Sequence, residues 1–387
     1  MIDYPALIQV HPLLPRLPED SRGCYSHRMD DERRGWLALG RAMLPPRRAA
    51  GLLQQAGGTA ELFTSAPQAL SLRPTERERL QEAWARAPED AALLEKCAAT
   101  LLTMRDPAYP PLLREIYDPP VLLYVRGEIT PADRRAVAIV GSRRSTPYGR
   151  MVAQSLARGL AEAGVTVVSG MALGIDAAAH RGALEAGGRT IAVLGCGVDR
   201  CYPAEHRGLM QQIVAAGAVA SELPPGMPPV ARHFPQRNRI ISGLTLGTVV
   251  VEAPEKSGAL ITAGLALEQG REVFAVPGSV NSEQARGAHR LLKEGAKLAE
   301  SIADILEELD LQGGAPRTPP VAARAAHADP ESPADPLLAH LSLEPVGLEQ
   351  LQEQTGLPAG ELSARVLLLE LKGLVGRLPG NRLVRLA

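Results

Sequence analysis

Five uninterrupted apolar runs in the middle of the chain constrain its fold more than any other feature. Each ends at a Gly or Glu, and none alternates apolar with polar residues, which is typical of strands buried on both faces of a parallel sheet. Helical patterns lie between several of them. We therefore predict an α/β fold with an extended Rossmann-like, doubly wound and mostly parallel sheet. The runs are residues 136–141, 165–170, 190–195, 247–252 and 272–278, with a shorter one at 218–222.

The loops after these runs are the expected ligand sites, because open parallel sheets bind ligands beyond the carboxyl ends of their strands. The first loop begins with Gly141, Ser142, Arg143 and Arg144 and leads into a helix. Backbone N–H groups at a helix start favour anions, and the hydroxyl and guanidinium groups add donors. The loop has neither the P-loop signature nor the dinucleotide Gly-x-Gly-x-x-Gly. It predicts a phosphate contact of another kind, with Gly170 at the matching place after the second run.

The segment 234–239, Phe-Pro-Gln-Arg-Asn-Arg, places an aromatic ring beside two arginines. The chain has only three Phe residues, and one of them is here. Forked guanidiniums match phosphate oxygens, and an aromatic face stacks on an unpaired base. The combination favours a single-stranded nucleic acid over a small metabolite. The candidate contacts in this segment are Phe234, Gln236, Arg237, Asn238 and Arg239.

A third loop adds Lys256, Ser257 and Gly258 as candidates, shortly after the run that ends at residue 252. A lysine beside two loop amides suits a phosphate group. Because the carboxyl ends of parallel strands meet at one edge of a sheet, the loops should share a rim. That rim is expected to gather the basic residues Arg143, Arg144, Arg237, Arg239 and Lys256.

Two other patterns have a metal-binding or catalytic interpretation. Asp176 and His180 are four residues apart on one helix face, a spacing that suits a metal or an acid–base pair. No third ligand or nucleophile accompanies them, so an acid in the first helical turn with a packed histidine is favoured. Cys196 and Cys201 form C-x4-C without a second pair of ligands. We therefore predict no metal site and no cofactor.

Composition limits the partners and the compartment. The net charge is −1, so a polyanion must be held by a local basic patch rather than by a global field. The four cysteines are few and unpaired in pattern, which favours a reducing compartment. No signal-peptide pattern is visible, and no run approaches the ~20 apolar residues of a membrane span. We expect a cytoplasmic location and no membrane contact.

Composition shifts divide the chain into five regions. Residues 1–30 are Pro-rich and predict an irregular extension, and residues 31–127 predict a helical domain of SAM or helix-hairpin-helix character. Residues 128–311 are predicted to form a Rossmann-like DNA-binding domain, and the Pro- and Ala-rich residues 312–335 a linker. Two helical patterns followed by a hairpin pattern make residues 336–387 a winged helix. Its second helix carries as many acids as bases, which favours packing or protein contact over base reading.

Several motifs follow one another in a fixed order between about residues 100 and 310. They include Gly-Ser-Arg-Arg-x-Thr-x-Tyr-Gly from Gly141, Ser-Gly-Met-Ala-x-Gly-Ile-Asp-x-x-Ala-His from Ser169, and Phe-Pro-x-Arg-Asn-Arg-Ile-Ile-Ser-Gly-Leu from Phe234. Glu-Ala-x-x-x-Ser-Gly-Ala-Leu-Ile-Thr-Ala follows from Glu252. Together the motifs resemble the DNA-processing protein A family (DprA, also called Smf), and the terminal winged helix is similar to one that many members carry.

The resemblance implies a recombination mediator rather than an enzyme. Members bind incoming single-stranded DNA during natural transformation, protect it and help load the RecA recombinase, and a role in repair is the alternative setting. The implied partners are single-stranded DNA, RecA, a single-strand DNA-binding protein and a second copy, joined through the Rossmann-like domain. Gln236 stands where many members have a basic residue. By motif position the DNA pocket is carried by Gly141, Ser142, Arg143, Gly170, Arg237, Asn238 and Arg239.

Two other functions remain open. Gly247-Thr248 followed by Glu252 resembles the loop of phosphoribohydrolases that act on nucleoside monophosphates, but it has three intervening residues instead of two and lacks the leading Gly pair. A transcription factor that reads duplex DNA through the winged helix is the second alternative. The sparse basic and amide side chains of the recognition helix disfavour it.

Overall fold

The computed structural model describes residues 30–64, 70–312, 335–341, 346–371, 374–378 and 382–385. Apart from their end residues, the predicted extension 1–30 and linker 312–335 lie outside the described residues, as does the turn of the C-terminal hairpin. Within the described ranges, no helix has the length and apolar character needed to cross a membrane.

Four helices begin the described chain: α1 (Asp31–Arg41), α2 (Pro46–Ala56), α3 (Thr59–Thr64) and α4 (Pro74–Lys96). They pack around a shared core that includes Leu37, Leu52 and Leu80. Asp90 of α4 is fully buried and forms an ion pair with Arg41 of α1. Because a buried carboxylate must be paired to stay charged, this pair fixes α1 against α4.

The helical unit ends earlier than predicted, because residues 31–127 also contain two strands of the large sheet. These are β1 (Ala99–Thr103) and β2 (Leu122–Gly127), which pair antiparallel and are separated by the short helix α5 (Pro111–Arg114). On β2, Leu122 packs on the helical core, and its neighbour Leu123 packs on the sheet core. The prediction of a purely helical region up to residue 127 is therefore wrong, since β2 is shared by both cores.

Seven further strands complete the central sheet: β3 (Ala136–Val140), β4 (Thr166–Ser169), β5 (Thr190–Val193), β6 (Ala218–Ser221), β7 (Gly247–Val250), β8 (Glu272–Ala275) and β9 (Lys297–Leu298). The order is β1-β2-β6-β5-β4-β3-β7-β8-β9. All neighbours from β6 to β9 are parallel, whereas β2 joins β6 antiparallel. The chain changes direction along the sheet between β3 and its neighbours β4 and β7, which is the usual ligand position in such folds.

Helices cover both faces of this sheet: α6 (Pro147–Glu162), α7 (Ile175–Glu185), α8 (Arg207–Ala216), α9 (His233–Gly243), α10 (Gly258–Glu268), α11 (Arg286–Lys293) and α12 (Ile302–Glu308). On one face, α6 and α12 pack through Leu160 and Ile305. On the other face, α9 and α11 pack through Ile240 and Ala288. The doubly wound, mostly parallel α/β fold predicted from the apolar runs is confirmed.

The C-terminal unit has its own core, which includes Leu351, Leu362 and Val366. A three-stranded sheet in the order β10-β12-β11 packs with two helices, and the winged-helix prediction is confirmed. Its elements are β10 (Val346–Gly347), α13 (Leu348–Thr355), α14 (Ala359–Leu371), β11 (Val375–Leu378) and β12 (Arg382–Arg385). Short 3-10 helices along the described chain include Pro131–Arg134, Ala204–His206, Glu283–Ala285 and Pro336–His340.

Candidate nucleic-acid interface

A pocket of about 360 Å³ opens at the carboxyl ends of the parallel strands. The loops after β3, β4 and β5 form one side of it, and the first turns of α9 and α10 form the other. Its walls are mostly apolar, with a few polar side chains among them, as in sites that bind a planar ligand. The lining residues that matter below are Arg143, Asp176, Tyr202, Phe234, Arg237, Asn238 and Gly258.

Glu252 holds the predicted anion-binding loop in shape. Its backbone oxygen accepts a bond of 2.7 Å from the Ser142 amide, and its carboxylate accepts a bond of 2.8 Å from the Thr146 amide and another from the Thr146 hydroxyl. The buried Ser142 Oγ accepts from the Arg144 amide at 3.1 Å, so this hydroxyl shapes the turn. Sequence reasoning missed this role of Glu252. The sequence did contain a signal for it, because an acid just after one parallel strand can reach the loop that follows the neighbouring strand.

An aromatic surface lies beside this loop. The Arg143 guanidinium carbon is 5.1 Å from the centre of the Phe234 ring, and the centre of the Tyr202 ring is 5.6 Å from the same ring centre. A β-carbon added at Gly195 would come within 2.8 Å of the Phe234 ring, so glycine at the end of β5 makes room for the ring. Arg143 and Phe234, which were predicted as site residues in different segments, are therefore brought together. Tyr202 was not among the predicted site residues.

Arg237 points inward from α9 and lines the pocket. It is 6% exposed, and its Nη1 donates to the backbone oxygen of Val193, while its Nε has no hydrogen-bond partner among the described residues. A β-carbon at Gly170 would collide with the guanidinium, which explains glycine at that position. Burial lowers the pKa of Arg237 to about 10, and nearby Asp176 opposes that change. The side chain is therefore still charged at neutral pH.

Arg239 does not reach the pocket, contrary to prediction. Its Nη2 donates to Glu222 Oε1 at 2.7 Å, and its Nε donates to the backbone oxygen of Asp118 at 3.0 Å and lies 3.4 Å from Asp118 Oδ2. Burial opposes its charge, but the two carboxylates outweigh burial and raise the pKa of Arg239. Residues two apart on a helix point in nearly opposite directions, so Arg237 faces the pocket and Arg239 braces the back of α9.

Of the remaining predicted residues, Asn238 and Gly258 line the pocket, whereas Arg144, Gln236, Lys256 and Ser257 do not. Arg144, Lys256 and Gln236 are exposed. Within the described part of the chain, neither Arg144 nor Lys256 forms an ion pair. Ser257 is the N-cap of α10, where its Oγ accepts from the Ala259 amide at 3.2 Å. Asn238 Nδ2 donates to the backbone oxygen of Gly258 at 3.4 Å, which links α9 to the start of α10. Gly141 belongs to the loop that Glu252 holds.

Asp176 and His180 do not act as a pair. His180 is buried, and its Nδ1 lies 2.7 Å from Thr190 Oγ1, whose hydroxyl donates to the backbone oxygen of Val167. Burial lowers the pKa of His180 to about 3, so it is neutral at physiological pH. The described residues contain no group of three or more His, Cys, Asp or Glu side chains that could hold a metal ion. The favoured interpretation, a packed histidine, agrees with these contacts.

Sequence comparisons give a family for the chain's two main parts. A model of the family described as DNA recombination-mediator protein A matches residues 100–310, and one described as the DprA winged helix domain matches residues 321–381. Protein Smf of Escherichia coli (strain K12) is 41% identical over 278 residues, which cover 70% of this chain and 74% of that protein. DNA processing protein DprA of Streptococcus pneumoniae is 46% identical over 205 residues, 53% of this chain and 72% of that protein.

A solved structure supports the same assignment. The X-ray structure of DNA processing protein A from Streptococcus pneumoniae aligns with a TM-score of 0.62 and 36% sequence identity. The alignment covers 71% of this chain and 97% of that one. The similarity therefore extends beyond the residues that form the pocket.

Proposed function

The chain belongs to the DNA recombination-mediator protein A family, and on that premise we propose that its pocket binds single-stranded DNA. The observation that carries the proposal is the stack of Arg143 on Phe234 at the mouth of a pocket with apolar walls. An aromatic ring at such a mouth stacks on a base, and this requires a base that is not paired in a duplex. The guanidinium on the ring can then contact the phosphate beside that base.

We expect exposed cations at the rim to contact the phosphates of the DNA strand where it leaves the pocket. Arg143, Arg144 and Lys256 are exposed, and they are not held in ion pairs within the described residues. The start of α10 adds backbone N–H groups at Gly258. Each phosphate engaged on a single strand contributes ~0.7 to the slope of log affinity against log salt. With a net charge of −1, the chain depends on this local patch for its attraction to DNA.

We further propose the mediator role that the family implies, in which the bound strand is protected and RecA is loaded on it in transformation or repair. No chemical step on the DNA is part of this role. Exposed Leu367 and Leu368 on α14 favour a protein contact, with RecA or a single-strand DNA-binding protein, over base reading by the winged helix. The described cysteines Cys97, Cys196 and Cys201 are free, which is consistent with a cytoplasmic location.

A homodimer is the proposed assembly. Support comes from β9, one of the two edge strands of the sheet, where Leu298 is exposed, and from exposed Leu267 on α10. Edge strands and exposed apolar side chains are stabilised when a partner covers them. A second copy would bring two pockets into one assembly and let it hold a longer strand.

The proposed function predicts a preference for single-stranded over duplex oligonucleotides and a salt slope of about 2, from about three phosphates at ~0.7 each. Fluorescence anisotropy at two salt concentrations measures both quantities. Arg144→Ala should lower the slope by about 0.7. Arg134→Ala is the matched control, because this exposed arginine precedes β3 at the opposite edge of the sheet. Equal affinity for duplex, or an affinity that salt does not change, would contradict the proposal.

A further inference from the structure

The inner part of the pocket carries two opposite charges that do not neutralise each other by direct contact. Asp176 is 7% exposed and Arg237 is 6% exposed, and both line the pocket. Burial raises the pKa of Asp176 and lowers the pKa of Arg237, and each charge opposes the change in the other. The described structure contains no ion pair between them. One carboxylate oxygen of Asp176 is 3.3 Å from the amide of Ala172. The Arg237 Nε has no hydrogen-bond partner among the described residues.

This pair of charges makes the inner pocket a poor phosphate site. A phosphate drawn to Arg237 would approach the Asp176 carboxylate, and like charges in a buried place repel strongly. The exposed cations Arg144 and Lys256 are not among the residues that line the pocket with Asp176, so they are better placed for a phosphate. The inner pocket therefore suits a neutral group that presents donors to a carboxylate and an acceptor to a guanidinium.

A nucleobase edge is such a group, and the bases differ in what they present. Guanine offers two adjacent donors, N1–H and the N2 amino group, next to the acceptor O6. Thymine, cytosine and adenine have one donor position on that edge, so they cannot give a carboxylate two parallel bonds. The volume of about 360 Å³ is near the lower limit of ligand pockets, roughly 300–1,000 Å³. This is room for one base rather than for several nucleotides.

We propose that the inner pocket receives one base of the bound strand and prefers guanine, with Asp176 as the residue that determines this preference. Asp176 accepts from N1–H and the N2 amino group, and Arg237 donates to O6. The inference rests on the proposed single-stranded DNA binding, and it alters one expectation of that function, because a site made only of stacking and phosphate contacts has little sequence preference. Apolar walls that include Val140 and Ile241 exclude water from these bonds and strengthen them.

The experiment compares short oligo-dT strands that carry one central dG, dA, dC or dT, by fluorescence anisotropy with the full-length protein. We expect the dG strand to bind about five- to tenfold more tightly than the others, since a bidentate base contact discriminates to at least this extent. Asp176→Asn should reduce the preference to less than about twofold, because an amide presents only one acceptor. Glu255→Gln, which removes the same charge from an exposed position outside the pocket lining, should keep the preference.

A change in the ligand gives an independent test that needs no variant. Inosine lacks the N2 amino group of guanine, so a strand with central inosine should bind the unaltered protein more weakly than the dG strand. Equal binding of the dG and inosine strands would overturn the inference, as would a dG preference that survives Asp176→Asn. If the unaltered protein binds none of the strands, the proposed function itself fails. If it binds all of them equally, only the guanine preference fails.

Discussion

Phe234→Ala is expected to weaken the binding of single-stranded DNA by about tenfold to a hundredfold. Stacking on an aromatic side chain contributes roughly 1–3 kcal/mol per base, and each 1.4 kcal/mol is about tenfold in affinity. The same change removes the ring beneath Arg143, which then loses its fixed position 5.1 Å from the ring centre. Because Phe234 is at the first turn of α9, where its side chain faces the pocket, the fold should persist.

The measurement is anisotropy of a labelled oligo-dT strand titrated with each variant. Tyr117→Ala is the matched control, because Tyr117 is 78% exposed and lies outside the pocket lining. We expect this control to bind within about twofold of the unaltered protein. Phe234→Ala with unchanged affinity, or an equal loss in Tyr117→Ala, would show that the strand does not stack at the pocket mouth.

The second large effect is expected on stability rather than on binding. Arg239→Ala should lower the free energy of unfolding by about 2–3 kcal/mol. Breaking a buried ion pair costs ~3–5 kcal/mol, and the partial exposure of Glu222 and Asp118 reduces that cost. The change also removes the hydrogen bond between α9 and the backbone of Asp118. The folded fraction of the variant should bind oligo-dT with an affinity near that of the unaltered protein.

Urea unfolding followed by circular dichroism measures the stability change. Arg290→Ala is the control, because Arg290 forms an exposed ion pair with Glu294 on α11, and such pairs contribute about 0.3–0.5 kcal/mol. If Arg239→Ala lost affinity at unchanged stability, Arg239 would be a DNA contact after all, and the bracing role assigned to it would be wrong.

These two arginines show how far the sequence could predict the site. The motif Arg237-Asn238-Arg239 has the right chemistry for phosphate binding, but the residue types alone do not tell which of its two arginines faces the pocket. The separation comes from the helix α9 (His233–Gly243), whose period places Arg237 toward the strand ends and Arg239 toward Asp118. Predicting a helix over this segment would have distinguished them. The position of the acids Glu222 and Asp118 would still have been needed to give Arg239 its role.

The sheet, too, could be predicted from the sequence only in part. The parallel strands β3 to β8 were predictable because each is an apolar run. The short parallel strand β9 (Lys297–Leu298) is not such a run and was missed. β2 also contains an apolar run, Val121 to Val125, which was missed. Its antiparallel pairing with β6, far along the chain, could not be predicted from local sequence. Tyr202 was missed for a related reason. It reaches Phe234 only because the loop after β5 and the start of α9 meet across the strand ends. Contacts that are set by tertiary packing leave little trace in local sequence.

The most direct test of the central claim is to find where a bound strand lies. An oligo-dT strand with one 5-iodouracil is bound to the full-length protein, irradiated, and the crosslinked peptides are identified by mass spectrometry. Iodouracil reacts preferentially with an aromatic ring on which it stacks. We predict crosslinks at Phe234 or Tyr202, which are lost when an excess of unlabelled strand competes. Crosslinks confined to α1–α4 or to the winged helix, with none in the pocket, would contradict the account.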